Sequence, residues 1–263
     1  MAGRKRRRRG DGEPTDASAE LDPFLRSLRL LREEVPSFSR YPFSIPCVRT
    51  LGELQFHPKV TYFVGENGSG KSTLIEAIAV AAGFNPEGGS QNFNFATHAS
   101  HSDLHRFLRL IRGTRRPRTG YFLRAESFFN VATYIDQDPE VALASHGGRS
   151  LHEQSHGESF LALVKNRFYP NGLYVLDEPE AALSPQRQLS LLTAIDELVQ
   201  RGGSQFIISS HSPIVLAYPE ARLYHLSRKG LEPVALEETE QFALTRDFLL
   251  DRERYLKHLL RPR

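Results

Sequence analysis

The stretch that decides the fold reads Gly65-Glu66-Asn67-Gly68-Ser69-Gly70-Lys71-Ser72-Thr73. Its pattern, G-x-x-x-x-G-K-S, is that of the P-loop, which cradles nucleotide phosphates. Glycines let successive backbone N–H groups turn toward the β-phosphate, and Lys71 adds a charge that reaches the β- and γ-phosphates. The Ser72 hydroxyl is a ligand for Mg²⁺. All nine residues are therefore candidate nucleotide-binding residues, with a nucleotide and Mg²⁺ as the expected ligands.

The residues on either side of this loop have the pattern that a P-loop requires. Residues 60–64 are β-branched and aromatic, which predicts a buried strand entering the loop. Residues 74–82 are helix formers that stop at Gly83, which predicts a helix with its positive N-terminal end toward the phosphates. The alternative is a glycine-rich turn that binds no ligand. It would account for the motif itself, but not for the predicted strand before it and the predicted helix after it.

A second apolar run ends in two adjacent carboxylates. Residues 172–176 are apolar and are followed by Asp177 and Glu178. At the carboxyl end of a core strand, Asp177 is expected to reach the Mg²⁺ shell beside Ser72, directly or through water. Glu178 is expected to face the γ-phosphate and to orient or deprotonate the attacking water. An acidic turn is the alternative, and the P-loop earlier in the chain favours the catalytic interpretation.

A third apolar run, residues 205–208, leads to a histidine at position 211. A neutral imidazole at the same sheet edge can hydrogen-bond a γ-phosphate oxygen or the attacking water. Taken alone, His211 would be interpreted as a structural residue. Because it follows the strand after Asp177 and Glu178, it becomes a catalytic candidate together with Glu178 and Lys71.

A helix start between the P-loop and the carboxylates offers a second anion site. Ser155 is a good N-cap, Gly157 permits close backbone approach, and Glu158 follows before a helical run over residues 160–168. The free N–H groups of a helix N-terminus favour an anion. Since the subunit's own phosphates occupy the P-loop, this site would serve the nucleotide of a second subunit. The sequence therefore predicts an ATP-dependent head-to-tail homodimer.

These motifs, in this order, resemble those of the ATP-binding cassette (ABC) ATPases. The resemblance implies an α/β P-loop fold with a mixed central sheet flanked by helices, and Mg²⁺-dependent ATP hydrolysis. It places Lys71 and Ser72 on Walker A, Asp177 and Glu178 on Walker B and its catalytic glutamate, His211 on the switch histidine, and residues 155–158 on the signature. The signature departs from the usual Leu-Ser-Gly-Gly-Gln and is closer to the RecF/SMC-like branch. The chain is also similar to small bacterial cytoplasmic ABC-type ATPases that are often called AAA-family ATPases.

The resemblance also implies a Q-loop glutamine that helps to bind Mg²⁺ and water. Two residues are candidates for this role, Gln91 and Glu126. Gln91 lies rather close to the P-loop in sequence, whereas Glu126 follows an apparent strand at residues 120–123, so Glu126 is preferred. Residues 181–184 occupy the D-loop position, and Ser184 with Pro185 predicts the start of the next helix. No aromatic residue is assigned to stack on adenine.

Composition limits the class of protein. The single cysteine, Cys47, excludes an internal disulfide and fits a reducing compartment. No apolar stretch approaches the roughly 18 residues of a membrane span. The basic start is not followed by an apolar segment, so we expect no secretory signal. These features favour a cytoplasmic protein without a membrane segment of its own.

The net charge of +3 is set by the first residues of the chain. Six of the 34 basic residues lie at positions 4–9, which leaves 28 against 31 acidic residues. We expect residues 1–19 to form a disordered basic tail and residues 20–263 a single ABC-type ATPase domain. Within this domain, the spacing of apolar residues over 21–35 predicts a helix, residues 47–56 predict short strands, and residues 84–150 predict a lid or helical insertion.

The partners of the protein are less defined than its chemistry. An arginine-rich stretch places Arg106, Arg109 and Arg112 on one face of a predicted helix and continues through Arg115, Arg116 and Arg118. Nucleic acid is a possible partner through this predicted lid or the tail, with a solvated face as the alternative. An unknown protein partner is also expected. The alternatives for the whole chain are the ATP-binding subunit of an ABC transporter and a DNA-repair or defence-associated ATPase.

Overall fold

The computed structural model describes residues 22–90, 102–124 and 156–260, which form two β-sheets with helices around them. The strands are β1 Leu25–Leu30, β2 Glu53–Gln55, β3 Val60–Gly65, β4 Gly89–Ser90, β5 Leu108–Arg112, β6 Thr119–Arg124, β7 Gly172–Asp177, β8 Gln205–Ser209, β9 Ala221–Ser227 and β10 Gly230–Val234. The helices are α1 Pro46–Arg49, α2 Lys71–Ala82, α3 His156–Arg167, α4 Pro185–Gly202, α5 Glu240–Leu250 and α6 Arg252–Leu259. Short 3₁₀ helices include Asp103–Phe107 and Pro179–Ala182.

The larger sheet has seven strands in the order β10-β9-β3-β8-β7-β6-β4 within the described residues. Its five inner strands are parallel, and β10 and β4 close the two sides in antiparallel pairing. The strands that precede the P-loop, the two carboxylates and the histidine are β3, β7 and β8, which are neighbours. The fold class predicted from the sequence, a mixed central sheet flanked by helices, is confirmed.

Both faces of this sheet are buried, and its central strands are therefore continuous apolar runs. Along β3, Phe63 contributes to the core with α2, whereas Tyr62 and Val64 contribute to the core with α3 and α4. β7 and β8 alternate in the same way. Helix α2 spans the predicted residues and ends at Gly83, whose φ of 102° closes it in the left-handed region.

A smaller antiparallel sheet, β2-β1-β5, packs on the α2 side of the molecule. The Gln205 side chain connects the two sheets, because its Nε2 donates to Leu25 O at 2.8 Å and its Oε1 accepts from Leu25 N at 2.9 Å. Arg115 adds a second connection: it donates to Asn171 Oδ1 at 2.6 Å and lies over the Phe24 ring.

The helix predicted over residues 21–35 is wrong. Residues 25–30 are strand β1, which pairs with both β2 and β5. The apolar residues looked helical because the strand has an irregularity between Leu25 and Ser27, which interrupts strict alternation. Long-range pairing has overridden local spacing here. Residues 47–56 contain the predicted strand as β2, but they begin within α1.

The predicted lid or helical insertion over residues 84–150 needs correction in its described part. β4 and β6 belong to the large sheet, and β5 belongs to the small one. These residues are part of the body of the fold because β6 pairs with β7 along its whole length. Residues 91–101 and 125–150 lie outside the described residues, as does the predicted tail, and the domain boundaries stay a prediction.

The predicted arginine face of a helix is also wrong. Arg106 lies in a 3₁₀ helix, whereas Arg109 and Arg112 lie in β5, where a spacing of three does not keep residues on one face. Part of the stretch is used within the fold: Arg112 donates to Ala82 O, Arg115 to Asn171, and Arg116 to Gly113 O. In the described part of the chain, no helix is both long and apolar enough to cross a membrane.

Candidate nucleotide-binding site

The predicted functional residues meet at the carboxyl edge of three neighbouring parallel strands. The P-loop follows β3, Asp177 ends β7, and His211 lies two residues beyond β8. In open α/β sheets, ligands bind at this edge. A cavity of about 390 Å³ opens there, with Lys71, Ser72, Glu178 and Tyr41 among its lining residues.

The P-loop backbone requires glycine at position 70. Gly70 has a φ of 97°, in the left-handed region that other residues rarely adopt. A Cβ there would lie 2.5 Å from Ile45 Cγ2 and 2.9 Å from Cys47 Sγ. Cys47 also donates to Ser69 O at 3.3 Å. The start of α1 therefore packs against the P-loop. Burial at this contact raises the pKa of the Cys47 thiol to about 11.

Lys71 is buried inside the loop, with its charge directed at the loop's own carbonyls. Its Nζ donates to Gly65 O and to Glu66 O, both at 3.0 Å. Burial lowers the pKa of Lys71, and the nearby carboxylates of Glu178 and Asp177 oppose that change. The ammonium group therefore lies among oxygens that phosphate oxygens can replace.

Asp177 and Ser72 bring two oxygen ligands together. Ser209 Oγ donates to Asp177 Oδ1 at 2.5 Å, and the Ser72 side chain lies near enough to Asp177 to help lower the pKa of that carboxyl. Burial raises the pKa of Asp177, while the Ser209 hydrogen bond and the Arg124 charge act in the opposite direction. The described residues contain no cluster of three or more His, Cys, Asp or Glu side chains that could hold a metal ion. A hydroxyl and a carboxylate still fit Mg²⁺, because it usually keeps several waters and binds substrate phosphates.

Glu178 and His211 form a pair next to these oxygens. His211 Nε2 lies 3.3 Å from Glu178 Oε1, and the His211 backbone N–H donates to Glu180. Glu178 has a φ of 51°, and its N–H donates to Ser209 O at 3.1 Å. A left-handed glutamate costs of order 1–3 kcal/mol, and such strain is concentrated at functional sites. The backbone conformation therefore agrees with a functional carboxylate at this position.

The described signature residues lie against their own subunit. A Cβ on Gly157 would be 2.8 Å from Ala182 O and 2.7 Å from Arg187 Nη1, and Glu158 accepts from Arg187 at 2.9 Å. Neither Gly157 nor Glu158 lines the cavity around Lys71. Ser155 lies outside the described residues, and so do the two Q-loop candidates, Gln91 and Glu126.

Sequence reasoning missed two residues that the structure places at the site. Tyr41 is 67% exposed, lines the cavity, and its hydroxyl lies 3.4 Å from Thr73 Oγ1. Arg124 ends β6, opposite Asp177 in β7. Strand pairing would have indicated Arg124 once β6 and β7 were known as neighbours. Tyr41 had only a weak signal, an aromatic residue before a proline ahead of the P-loop.

Two family models match the chain, one described as an AAA domain over residues 45–140 and one as an AAA ATPase domain over residues 159–216. The first contains the P-loop, and the second contains Asp177, Glu178 and His211. The fold and these matches support a small P-loop ATPase of the ABC/AAA type, and the resemblance inferred from the sequence is confirmed. They support nucleotide-dependent ATPase activity. No curated protein matches the chain.

Three solved structures are similar to this chain, each with a TM-score below 0.5. The SMC head domain from Thermotoga maritima is 18% identical, with 80% of this chain and 99% of that chain covered and a TM-score of 0.44. CbiO1 from Clostridium perfringens, part of the ABC transporter complex cbiONQ, is 16% identical, with 90% and 100% covered and a TM-score of 0.48. A putative metal-chelate type ABC transporter is 17% identical, with 84% and 87% covered and a TM-score of 0.45. Likenesses at this level say nothing about partners or the coupled process.

Proposed function

We propose that this chain is a Mg²⁺-dependent ATPase that binds ATP at the carboxyl edge of β3, β7 and β8. The observation that carries the proposal is the convergence of three motifs: Ser72 contacts Asp177, and Glu178 contacts His211, beside the buried Lys71. These residues are far apart in sequence, and the pairing of β3, β8 and β7 brings them to one edge of the sheet. Phosphoryl transfer needs this combination of positioning and charge.

The phosphates would replace the Gly65 and Glu66 carbonyls as acceptors for Lys71, and the loop's N–H groups would bind them. Ser72 and Asp177 would hold Mg²⁺, which neutralises charge on the β- and γ-phosphates when bound. Glu178 would accept a proton from the attacking water at its carboxylate, while His211 orients that water or the γ-phosphate. The exposed Tyr41 ring would stack on the base, since it lies at the Thr73 end of the same cavity.

The homodimer is the second part of the proposal. The described residues that line the Lys71 cavity come from the P-loop, the first turn of α2, the segment before α1 and Glu178, and neither Gly157 nor Glu158 is among them. The outer side of a bound γ-phosphate would therefore be left for N–H groups from another helix. The start of α3 would supply them from a second subunit arranged head to tail. ATP binding would close the dimer, and hydrolysis would open it.

The experiment that tests the chemistry is Glu178→Gln. The amide keeps the shape and the hydrogen bonding but cannot accept a proton, so turnover should fall by about 10²-fold or more while ATP binding survives. Phosphate release and calorimetric binding measure the two quantities, and Glu197→Gln on the exposed face of α4 is the matched control. Wild-type turnover in Glu178→Gln would show that the carboxylate is structural. The variant should also accumulate as an ATP-bound dimer in size-exclusion chromatography.

A further inference from the structure

Arg124 connects the P-loop helix to the Walker B strand. It is the last residue of β6 and lies in register with Asp177, the last residue of β7. Its Nη1 donates to Glu76 Oε2 at 2.8 Å, and its Nε lies 3.9 Å from Asp177 Oδ2. Glu76 is four residues after Ser72 in α2, so both face the same side of the helix.

The three groups are largely removed from water. The exposed fractions of the side chains are 21% for Arg124, 12% for Glu76 and 8% for Asp177. One guanidinium therefore serves two buried carboxylates. A buried charge that loses its partner is strongly unfavourable, so neither carboxylate can be left uncompensated without a large loss of stability.

The contacts of Arg124 with Glu76 and with Asp177 differ in kind. The contact with Glu76 has the length of a charge-assisted hydrogen bond. The separation from Asp177, at 3.9 Å, is too long for a hydrogen bond and acts through charge alone. Asp177 Oδ1 accepts the hydrogen bond from Ser209 Oγ, which leaves Oδ2 as the oxygen that faces the Arg124 guanidinium. Arg124 can thus release Asp177 while it keeps Glu76.

We propose that Arg124 is a positioning residue that compensates Asp177 until a divalent cation takes over this carboxylate. In the cation-free protein, Arg124 balances Asp177 and Glu76 together, and once the cation binds it stays with Glu76. This inference rests on the proposed function of the site, since it assumes that Asp177 and Ser72 receive Mg²⁺ with the nucleotide. Arg124 would thus link the P-loop helix α2 to the Walker B strand β7, and its contact with Asp177 would be lost when the metal binds.

The first test compares the melting temperatures of Arg124→Met and wild type at a fixed concentration of a non-hydrolysable ATP analogue. Without Mg²⁺, the variant removes the guanidinium from two largely buried carboxylates and should melt about 5 °C or more below wild type. With Mg²⁺, the difference should become clearly smaller, because the metal supplies the charge that Asp177 lost. Monovalent salt keeps the ionic strength equal. Arg112→Met is the control, since Arg112 also donates to α2 but to a backbone carbonyl, and its effect should not depend on Mg²⁺.

A second variant keeps the inference testable if Arg124→Met does not fold. Glu76→Gln removes the carboxylate that competes with Asp177 for Arg124, so Mg²⁺ has to displace a stronger competitor. The Mg²⁺ concentration for half-maximal stabilisation should rise by about tenfold, within the range for outer-shell changes at metal sites. An unchanged or lowered value would overturn the inference.

The outcomes separate this inference from the proposed function. A wild type that is not stabilised by Mg²⁺ and the analogue overturns the nucleotide site itself, and the inference with it. A wild type that responds, with an Arg124→Met deficit that is the same with and without Mg²⁺, overturns only the inference and makes Arg124 a structural tie. Arg124→Lys keeps the charge without the planar fork, so its deficit should be smaller than that of Arg124→Met and nearly independent of Mg²⁺.

Discussion

The two halves of the proposed composite site differ in how completely one chain builds them. At the edge of β3, β7 and β8, residues from three motifs touch one another: Ser72 contacts Asp177, and Glu178 contacts His211. At the start of α3, Gly157 and Glu158 contact the segment after Walker B in their own subunit. In the proposed arrangement, the first half binds the phosphates of its own subunit's nucleotide, and the second half serves the nucleotide of a partner subunit.

The largest effect is expected from a change in the first half. Lys71→Ala removes the ammonium group that the P-loop encloses, and with it charge-assisted hydrogen bonds to the phosphates. ATP affinity should fall by about 10²-fold or more, since each hydrogen bond to a charged group contributes about 1.5–3 kcal/mol. Calorimetric titration measures the affinity. An unchanged affinity would contradict the assignment of the P-loop. The first half of the proposed site would then not be a phosphate-binding site.

The second half is tested with a variant that should lose ATP hydrolysis but keep ATP binding. If α3 serves the ATP of a partner, Ser155→Arg should block closure and hydrolysis while each monomer still binds ATP. Mixing inactive Ser155→Arg with inactive Lys71→Ala should restore some activity, because the mixed dimer has one site with an intact P-loop and an intact signature. Phosphate release over a range of mixing ratios measures the recovery.

Two outcomes would contradict the head-to-tail arrangement. No recovery at any ratio, in samples shown to contain mixed dimers, would replace it with a site in one subunit or with obligatory coupling of two sites. Full activity of Ser155→Arg alone would remove the start of α3 from catalysis. The two halves of the comparison would then not belong to one site.

The sequence predicted that the residues of the first half would lie together at one sheet edge, and the structure places them there; their roles stay a prediction, as do those of the second half. β3, β7 and β8 are buried on both faces, so each is a largely apolar run with its functional residues at its end or within two residues beyond it, and parallel pairing brings those ends together. The pairing of β1 with β2 and β5 joins residues far apart in the chain, and local spacing suggested a helix instead. Arg124 acts through its strand register with Asp177, and a register cannot be read from a motif.

The contacts that hold the start of α3 can be tested through Gly157. A Cβ at this position would lie 2.8 Å from the Ala182 carbonyl oxygen, a backbone atom that cannot move away without a shift of the D-loop. Gly157→Ala should therefore lower the free energy of unfolding by about 1–3 kcal/mol. Gly52→Ala is the matched control, because nothing lies within 4 Å of a Cβ there. Equal denaturation midpoints for the two variants would show that α3 is not packed as described.

The smallest effect is expected from Glu158→Gln, and it decides how firmly α3 is fixed. Glu158 pairs with Arg187 at 2.9 Å, but the two side chains are 55% and 31% exposed, so solvent screens the pair. Such pairs contribute about 0–1 kcal/mol, and the loss of a charge from the first turn of α3 adds an effect of similar size. A double-mutant cycle with Arg187→Gln in chemical denaturation should give a coupling below about 1 kcal/mol, with ATP affinity of the monomer unchanged. A coupling well above this value would mean that the ion pair locks the start of α3 to the D-loop. The two halves would then be structurally joined within one subunit, and a closing partner would have to break that contact before the helix N-terminus could bind its phosphate.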